Sequence, residues 1–501
     1  DGSDGQVLWQ RYARDQLYGS PLFADISGDS IPDVFISGRD AQFYALDGVT
    51  GFLIWEFWAD SQGSALDSGW YNFYLPQWIP DQDGDGLRDL LVTNGGDPTL
   101  APPVQQRPAG YLMALSAADG HILQLDSMPD RQETYHSPLL AHLGRPDDPQ
   151  ILFGSGGETV GGSYWRVALD SFMTSGLRSA TALLSHDDKG YIAVPSLADL
   201  NHDQRPDLII PQMKEAIIAL DGHSGQELWR VPLPGAECYV SPTLGQFTGD
   251  PTPDAFVVTS LGNWPFYQQG LKLLIDGATG EVVWTESGFP FQLTSGNAYD
   301  FDGDGYDEVL YPNSEDVGFQ TVDYHHQFYR YDFNDSTITA LDSLRPGMVV
   351  FSMPLITDLD NDQQGDFIVA THDNPSHWYQ PNGFSVYRFD LGPLSGPVAW
   401  GGYQGSAGNG VYALHLSLDI EPLARAPLRW RVYPNPVRET LWATLDDEQA
   451  PEGLHLWDLQ GRLLRGSRGQ NNLSVAGLPA GVYLLEGRLG ARRALARVVV
   501  Y

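Results

Sequence analysis

The sequence predicts an all-β chain: a ring of seven four-stranded sheets carrying calcium-type loops, followed by a small Ig-like β-sandwich. Three observations predict it. One nine-residue register returns seven times at a spacing of about 55 residues. Five of those copies place side-chain oxygens at positions 1, 3, 5 and 9. Roughly the last 70 residues abandon the register and reverse the sign of the charge.

The register starts at residues 25, 81, 142, 199, 246, 300 and 358. Each unit opens with a short apolar stretch, often after Ser-Pro, as in Ser20-Pro21-Leu22-Phe23 and Ser241-Pro242-Thr243-Leu244. The acidic loop follows, then an apolar run such as Leu208-Ile209-Ile210 or Phe367-Ile368-Val369. Short apolar runs bounded by turn residues suit buried strands. A third strand ends in Ala45-Leu46-Asp47-Gly48, Ala219-Leu220-Asp221-Gly222 or Leu274-Ile275-Asp276-Gly277, and a fourth carries Trp55, Trp229 or Trp284. Asp-Gly followed by Thr-Gly or Ser-Gly marks a tight hairpin between them. Four-stranded sheets repeated radially make a β-propeller, here seven-bladed. Asp4 to Trp9 reads as an outer strand that closes the ring against the seventh sheet. Val398-Ala399-Trp400 and Tyr412-Ala413-Leu414 also read as blade strands, which keeps eight sheets as an alternative.

The oxygen spacing points to metal. The expected ligands are Asp25, Ser27, Asp29 and Asp33; Asp81, Asp83, Asp85 and Asp89; Asp199, Asn201, Asp203 and Asp207; Asp300, Asp302, Asp304 and Glu308; and Asp358, Asp360, Asp362 and Asp366. The position-7 residues Ile31, Leu87, Arg205, Tyr306 and Gln364 would add a backbone carbonyl each. Ca²⁺ takes six to eight oxygens in flexible geometry, so about five ions are expected. An EF-hand fails, because it needs flanking helices and a Glu at position 12. Position 12 here is Ile36, Val92, Ile210, Tyr311 or Val369, each within an apolar run. The copies at 142 and 246 are eroded.

Composition narrows the function classes. The net charge is −36, and residues 425–501 carry 11 Arg against 7 acids, so the preceding chain is more acidic still. That field disfavours nucleic acid. Eighteen carboxylates fall at the ligand positions, and without metal they repel one another, so folding should be linked to calcium. No apolar stretch reaches the ~18 residues of a transmembrane segment. The chain begins at Asp1 rather than Met, which reads as a processed start after loss of a secretory signal. Cys238 is the only cysteine and reads as a buried small hydrophobe. Weak extracellular calcium sites need a calcium level the cytosol lacks, so the loops favour an exported protein.

The tail shows short alternating strands: Arg431 to Tyr433, Thr440 to Ala443, Leu454 to Trp457, Leu473 to Val475, Val482 to Leu485 and Leu495 to Tyr501. The organisation read from this is a propeller over 1–416, a linker over 417–428 and a sandwich over 429–501. Tyr433-Pro434-Asn435-Pro436, Asp458-Leu459-Gln460-Gly461-Arg462 and Leu478-Pro479-Ala480-Gly481-Val482-Tyr483-Leu484 resemble the C-terminal sorting domain of the type IX secretion system. The resemblance implies the type IX secretion machinery as a partner. It also implies a place outside a Bacteroidota-type cell or on its outer-membrane surface. The acidic loops resemble those of FG-GAP propellers, the family of integrin α-subunit heads. The Ala-Leu-Asp-Gly to Trp pieces resemble the blade motif of quinoprotein dehydrogenases, in which Trp packs between blades.

In integrin-like propellers the acidic loops join strands one and two, and the opposite face is built by the loops joining strands two to three and four to one. Here those loops are long and aromatic, and Trp70, Tyr71, Tyr74, Trp264, Tyr267, His377, Trp378 and Tyr379 are the candidate ligand-binding residues. Seven residues before the register starts lie Tyr18, Tyr74, Tyr135, Ile192, Tyr239, Leu293 and Phe351, placed to surround the channel mouth. There is no Gly-x-Ser-x-Gly elbow, His-Glu-x-x-His or phosphate loop. The expected function is therefore non-catalytic: binding, adhesion or extracellular assembly, with a glycan or surface protein as partner. The alternative is a lyase-like, polysaccharide-degrading propeller with its glycan on the aromatic face.

Overall fold

The computed structural model describes residues 5–17, 19–57, 69–101, 104–144, 147–291, 293–350, 352–360, 362–377, 380, 382–394, 396–412, 430–445, 453–457, 463–489 and 492–501. Of the sequence-based expectations, the linker 417–428, Tyr18, Phe351, Trp378, Tyr379 and the Asp458 to Arg462 motif lie outside the described residues.

Among the described residues the chain is all-β apart from one helical insertion, and its sheets follow one another in chain order. Sheet I is β1 (Leu22–Ala24), β2 (Asp33–Ser37), β3 (Phe43–Leu46) and β4 (Leu53–Glu56). Sheet II has β5 (Asn72–Phe73) and β6 (Gln77–Ile79) both pairing β7 (Asp89–Gly95), then β8 (Tyr111–Leu115) and β9 (Ile122–Ser127). Sheet III is β10 (Leu139–Ala141), β11 (Gln150–Gly154), β12 (Gly162–Ala168) and β13 (Thr181–His186). Sheet IV is β14 (Ser196–Ala198), β15 (Asp207–Gln212), β16 (Ala216–Leu220) and β17 (Glu227–Pro232). Sheet V has β18 (Ala236–Glu237) and β19 (Thr243–Gly245) on β20 (Asp254–Asn263), then β21 (Phe266–Ile275) and β22 (Val282–Gly288). Sheet VI is β23 (Asn297–Tyr299), β24 (Glu308–Asp316), β25 (Tyr324–Asp332) and β26 (Thr337–Ala340), with β27 (Arg345–Pro346) also on β25. Sheet VII is β28 (Leu355–Thr357), β29 (Gln364–His372) and β30 (Phe384–Pro393).

Second strands such as β7 and β15 are buried on both faces, as Leu90, Leu91 and Val92 show. That is why they read as continuous apolar runs rather than alternating ones. Apolar clusters join neighbours: Phe35 and Trp55 meet Val92 and Met113 between sheets I and II, and Phe328 meets Phe367 between sheets VI and VII. In sheet III, Ala168-Leu169-Asp170 begins like the hairpin motif of the other units but continues into α1 (Leu169–Ser175). Leu169 and Phe172, three apart on one helix face, are both buried there.

Tryptophan locks the sheets together. Trp55 Nε1 donates to the Ala117 carbonyl of sheet II at 2.7 Å, and Trp229 Nε1 donates to the Gly277 carbonyl of sheet V at 2.7 Å. The next hairpin must pass beneath each ring, and a Cβ on Gly120 or Gly280 would lie 2.7–2.8 Å from it. Both glycines also have φ near +76°, a backbone that favours glycine. Trp284 packs instead on Phe333 at 5.1 Å, beside a cavity of about 370 Å³ between sheets V and VI. Replacing Trp229 by Phe keeps most of the packing and loses the hydrogen bond, an expected cost of about 1 kcal/mol. Replacing it by Ala should cost about 3–5 kcal/mol, and urea unfolding of both variants checks the difference.

Two expectations about the ends of the ring need correction. Val398 to Trp400 and Tyr412 are not blade strands. The segment 398–412 instead threads past the innermost strands of several sheets. Trp400 exchanges both backbone hydrogen bonds with Ala298 of β23 at 3.0 Å, and Ile356 N–H of β28 donates to the Gly401 carbonyl. Gln77 of β6 donates to Gln404 Oε1 and the Gly408 carbonyl, and Leu197 of β14 pairs with Gly410 and Tyr412. Trp400 and Gln404 are fully buried, so the segment plugs the axis, and no eighth sheet forms among the described residues. The other correction concerns the chain start, where residues 5–10 form no strand. Trp9 nevertheless donates to the Gly48 carbonyl at 2.9 Å and stacks over Gly51, as Trp55 does on sheet II. Among the described residues β30 has no fourth partner, and no apolar cluster joins sheet VII to sheet I.

The tail forms two sheets around its own core. One is β31 (Trp430–Tyr433), β32 (Thr440–Leu445) and β35 (Asn472–Ser474); the other runs β34 (Leu463–Arg468), β33 (Gly453–Trp457), β36 (Gly481–Leu489) and β37 (Arg492–Val500). Leu441, Leu454, Leu456, Leu485 and Val498 fill the space between them. Its motifs have structural work: Asn435 Oδ1 accepts the Val499 N–H at 2.9 Å, and Tyr483 Oη donates to the Pro479 carbonyl at 2.7 Å.

Candidate functional site

In each sheet the connections from strand one to two lie at one end and those from two to three at the other. The acidic loops occupy the first end and fold alike. The position-1 carboxylates of Asp25, Asp81, Asp199, Asp300 and Asp358 each accept backbone N–H groups from positions 4 to 6. The position-5 carboxylates of Asp29, Asp85, Asp203, Asp304 and Asp362 each accept the position-7 N–H of Ile31, Leu87, Arg205, Tyr306 or Gln364. Position 6 is left-handed in all five, at Ser30, Gly86, Gln204, Gly305 and Gln363. Side-chain oxygens thus close each turn on itself.

Position 9 has a second role that the spacing did not reveal. Asp33 and Asp207 accept the N–H groups of positions 2 and 3, and also that of Gly48 or Gly222 in the neighbouring hairpin. Asp89, Glu308 and Asp366 likewise accept the position-2 N–H of Gln82, Phe301 and Leu359. In the eroded copy at 246, Asp254 makes the same bonds to Phe247, Thr248 and Gly277. Position 9 is therefore a latch on the fold whether or not its loop is acidic. Burial pushes the carboxyls of Asp89, Asp207 and Asp254 up to about 6 and that of Glu308 up to about 7.

The loops differ in how far their carboxylates converge. Oxygens of Asp81, Asp83 and Asp85 lie within 4.8 Å of one another, as do those of Asp300, Asp302 and Asp304, and those of Asp358, Asp360 and Asp366. Such clusters could hold a divalent ion. A further triad, Asp302, Glu308 and Asp332, brings in a strand residue absent from the nine-residue pattern. Loops I and IV place Ser27 and Asn201 at position 3 and gather no three carboxylates. In loop IV the Asn201 side chain donates to Asp207 and Asp221. In loop VII, Arg388 reaches across from β30 and pairs with both Asp360 and Asp366 at 2.6 Å, so an ion there must compete with a guanidinium.

The opposite end holds a second constellation, at the mouth of the axis. Glu133 and Glu237 are 1 % and 0 % exposed, each two residues before an aromatic partner. Tyr135 Oη donates to Glu133 at 3.0 Å, and Tyr239 Oη donates to Glu237 at 3.0 Å. Tyr267 Oη donates to Glu237 at 2.7 Å and the Trp264 N–H donates at 3.1 Å. Lys189 Nζ lies 2.8 Å from Glu237, and Arg107 Nη1 lies 3.3 Å from Glu133. Tyr74 meets the Tyr135 ring edge-on at 6.0 Å, and Trp264 lies 6.0 Å from Tyr239. Glu158, on the β11–β12 loop, lies in the field of Glu237 and Lys189. Burial first, then Glu237, pushes the Glu158 carboxyl up to about 7. The folded protein binds this proton more tightly than the unfolded chain, so stability should fall as pH rises from the ordinary glutamate range through about 7. Glu158→Gln should melt higher than the parent at pH 8 and alike at pH 4, which a pair of thermal scans checks.

Of the expected ligand residues, the fold brings Tyr74, Trp264 and Tyr267 to this mouth. Trp70 packs instead on Phe57 and Tyr111, and the Tyr71 N–H is tied to Asn94 Oδ1, which places both at the junction of sheets I and II. His377 lies on the β29–β30 connection of sheet VII. Sequence reasoning missed Arg107, Glu133, Glu158, Lys189 and Glu237. One signal was available, the Glu-x-Tyr that occurs at the same register position in sheets III and V, at 133–135 and 237–239.

Repeated antiparallel sheets of this order and a separate terminal sandwich define a β-propeller protein with a second, smaller domain. Residues 1–295 match the FAM234A/B beta-propeller family, and the chain belongs to it. Residues 431–501 match the secretion system C-terminal sorting domain. That domain implies handling by the type IX secretion machinery and places the protein at the cell surface or outside in Bacteroidetes-type bacteria. No helix among the described residues is long and apolar enough to cross a membrane. No curated protein sequence matches the chain. Among solved structures it is similar to BamB from Moraxella catarrhalis, at 13% identity and a TM-score of 0.43, covering 77% of this chain and 88% of that one. It is similar also to a europium-containing methanol dehydrogenase, at 12% identity and a TM-score of 0.42, covering 70% and 73%. A third is the V. cholerae biofilm matrix protein Bap1, at 13% identity and a TM-score of 0.37, covering 96% and 88%.

Proposed function

We propose that this chain is an exported, calcium-stabilised, seven-bladed propeller over residues 1–416 that binds a glycan without cleaving it. In this reading 429–501 is the sorting domain and 417–428 the linker. The five acidic loops serve as FG-GAP-type calcium sites that stiffen one end of the ring and free the other for recognition. The observation that carries the binding role is the mouth constellation, where Tyr74, Tyr135, Tyr239 and Trp264 are half-buried over a floor of hydrogen-bonded carboxylates. Rigid rings give stacking area at little entropic cost, and carboxylates accept sugar hydroxyls.

A glycan array probed with the full chain tests this. Trp264→Ala should weaken the best ligand by roughly 30-fold, about 2 kcal/mol, while the melting temperature holds. Unchanged binding in that variant would remove the site. The polysaccharide-degrading alternative draws on one observation, a Glu158 carboxyl that keeps its proton close to neutral pH as a general acid must. Release of new reducing or unsaturated ends from any array ligand would replace the non-catalytic reading with that one.

A further inference from the structure

Sheet VI carries one more carboxylate at its acidic end than the nine-residue pattern supplies. Asp332, the last residue of β25, stands one step beyond the Val309–Tyr331 pair and so beside Glu308 of β24. Oxygens of Asp302, Glu308 and Asp332 lie within 4.8 Å of one another. Glu308 is 3 % exposed and Asp332 7 %. One Glu308 oxygen, Oε2, accepts the Phe301 N–H at 2.7 Å. The other, Oε1, is buried without a hydrogen-bond partner, and Arg330 Nη1 stands 3.9 Å from it, beyond hydrogen-bond reach. A bare buried oxygen beside two further carboxylates is costly, and a cation among them removes that cost.

Two other sheets show what belongs in this place. In sheet IV position 3 is Asn201, and its amide nitrogen lies 3.3 Å from Asp207 of position 9 and 2.9 Å from Asp221 of the next hairpin. In sheet VII the Arg388 guanidinium holds Asp360 and Asp366, positions 3 and 9. Sheet VI has an aspartate at position 3, which offers no N–H. Among the described residues no side chain donates a hydrogen bond to Asp302, Glu308 or Asp332. The place is also reachable. Asp302 is exposed, and Asp332 lines the cavity of about 370 Å³ between sheets V and VI, which leaves room for water to complete the six to eight oxygens Ca²⁺ takes. Asp300, Asp302 and Asp304 form a separate triad, and the two triads share only Asp302. Arg330 is the one cation among the described residues that pairs with any of these five carboxylates, so four negative charges remain, the number that two divalent ions cancel.

We infer that Asp302, Glu308 and Asp332 hold a second Ca²⁺ in sheet VI, beside the ion of the loop, with Asp302 bridging the two. This rests on the calcium reading of the loops and adds a seat that their pattern does not contain.

The test is equilibrium dialysis of the full chain against Ca²⁺, with the fold of each variant checked by circular dichroism. Asp332 Oδ1 accepts the Asp335 N–H at 2.8 Å, a bond that Asp332→Asn keeps while losing the charge. That variant should bind one ion fewer than the parent. Asp304→Ala, which touches the loop triad alone, should also cost one ion, and the two together should cost two. Should Asp332→Asn fail to fold, Arg330→Gln gives a second readout: with the facing guanidinium gone, one ion should bind roughly tenfold more tightly. An ion count unchanged in Asp332→Asn, affinities unchanged in Arg330→Gln, or a double variant that loses only one ion would each overturn the second seat and leave the loop sites standing. A parent that binds no calcium would overturn both.

Discussion

Chelating calcium should lower the melting temperature of the full chain by about 10 °C, and adding calcium back should restore it. The size follows from linkage. An ion held at a hundred times its dissociation constant stabilises by about 2.7 kcal/mol, and the expectation is for about five. A propeller of this length gains a large entropy on unfolding, so each kcal/mol moves the midpoint by only about 1 °C. Electrostatics sets the sign. Eighteen carboxylates crowd the ligand positions, and the nearby cations that could offset them without metal are few. Among the described residues, Arg388 is the one arginine that pairs with two of those carboxylates. An ion in the loop starting at Asp358 would have to compete with that guanidinium. Unchanged melting after the bound metal has been shown to be gone would mean that the N–H bonds to positions 1, 5 and 9 hold the turns unaided.

Trp400→Ala should cost about 3–5 kcal/mol, as much as any single truncation in the molecule. Trp400 is fully buried, packs with Ala298, Tyr311 and Tyr412 in one apolar cluster, and is pinned by two backbone bonds to β23. Removing its ring leaves a cavity where sheets IV to VI meet the plug, and the backbone bonds prevent collapse into it. Urea unfolding should show the loss, and limited proteolysis should then cut within 396–412. A cost below 1 kcal/mol would mean that the plug lies on the ring without supporting it.

The sequence made the sheets and acidic loops legible because their chemistry is local. Oxygens at positions 1, 3, 5 and 9 close a turn within nine residues, and the apolar run after it has to be a covered strand. The same locality explains the misses. Val398-Ala399-Trp400 has the pattern of a strand, and nothing near it in sequence says that its partner is Ala298 rather than a blade edge. Asp332 joins Asp302 and Glu308 only through the β24–β25 pairing. Glu133, Glu158 and Lys189 lie on connections and Glu237 on β18, more than 100 residues apart from first to last, and only folding brings them together. Trp70, named from its aromatic loop as a candidate ligand contact, also packs between two sheets, a partner its neighbours in sequence do not reveal.

The claim beneath the whole account is that the acidic loops grip divalent ions. Counting the calcium bound to the full chain by equilibrium dialysis at millimolar calcium tests it directly. The account predicts about five ions per chain, and one fewer after Asp83→Ala and Asp85→Ala together. A chain that retains none, or a double variant that retains as many as the parent, would contradict it.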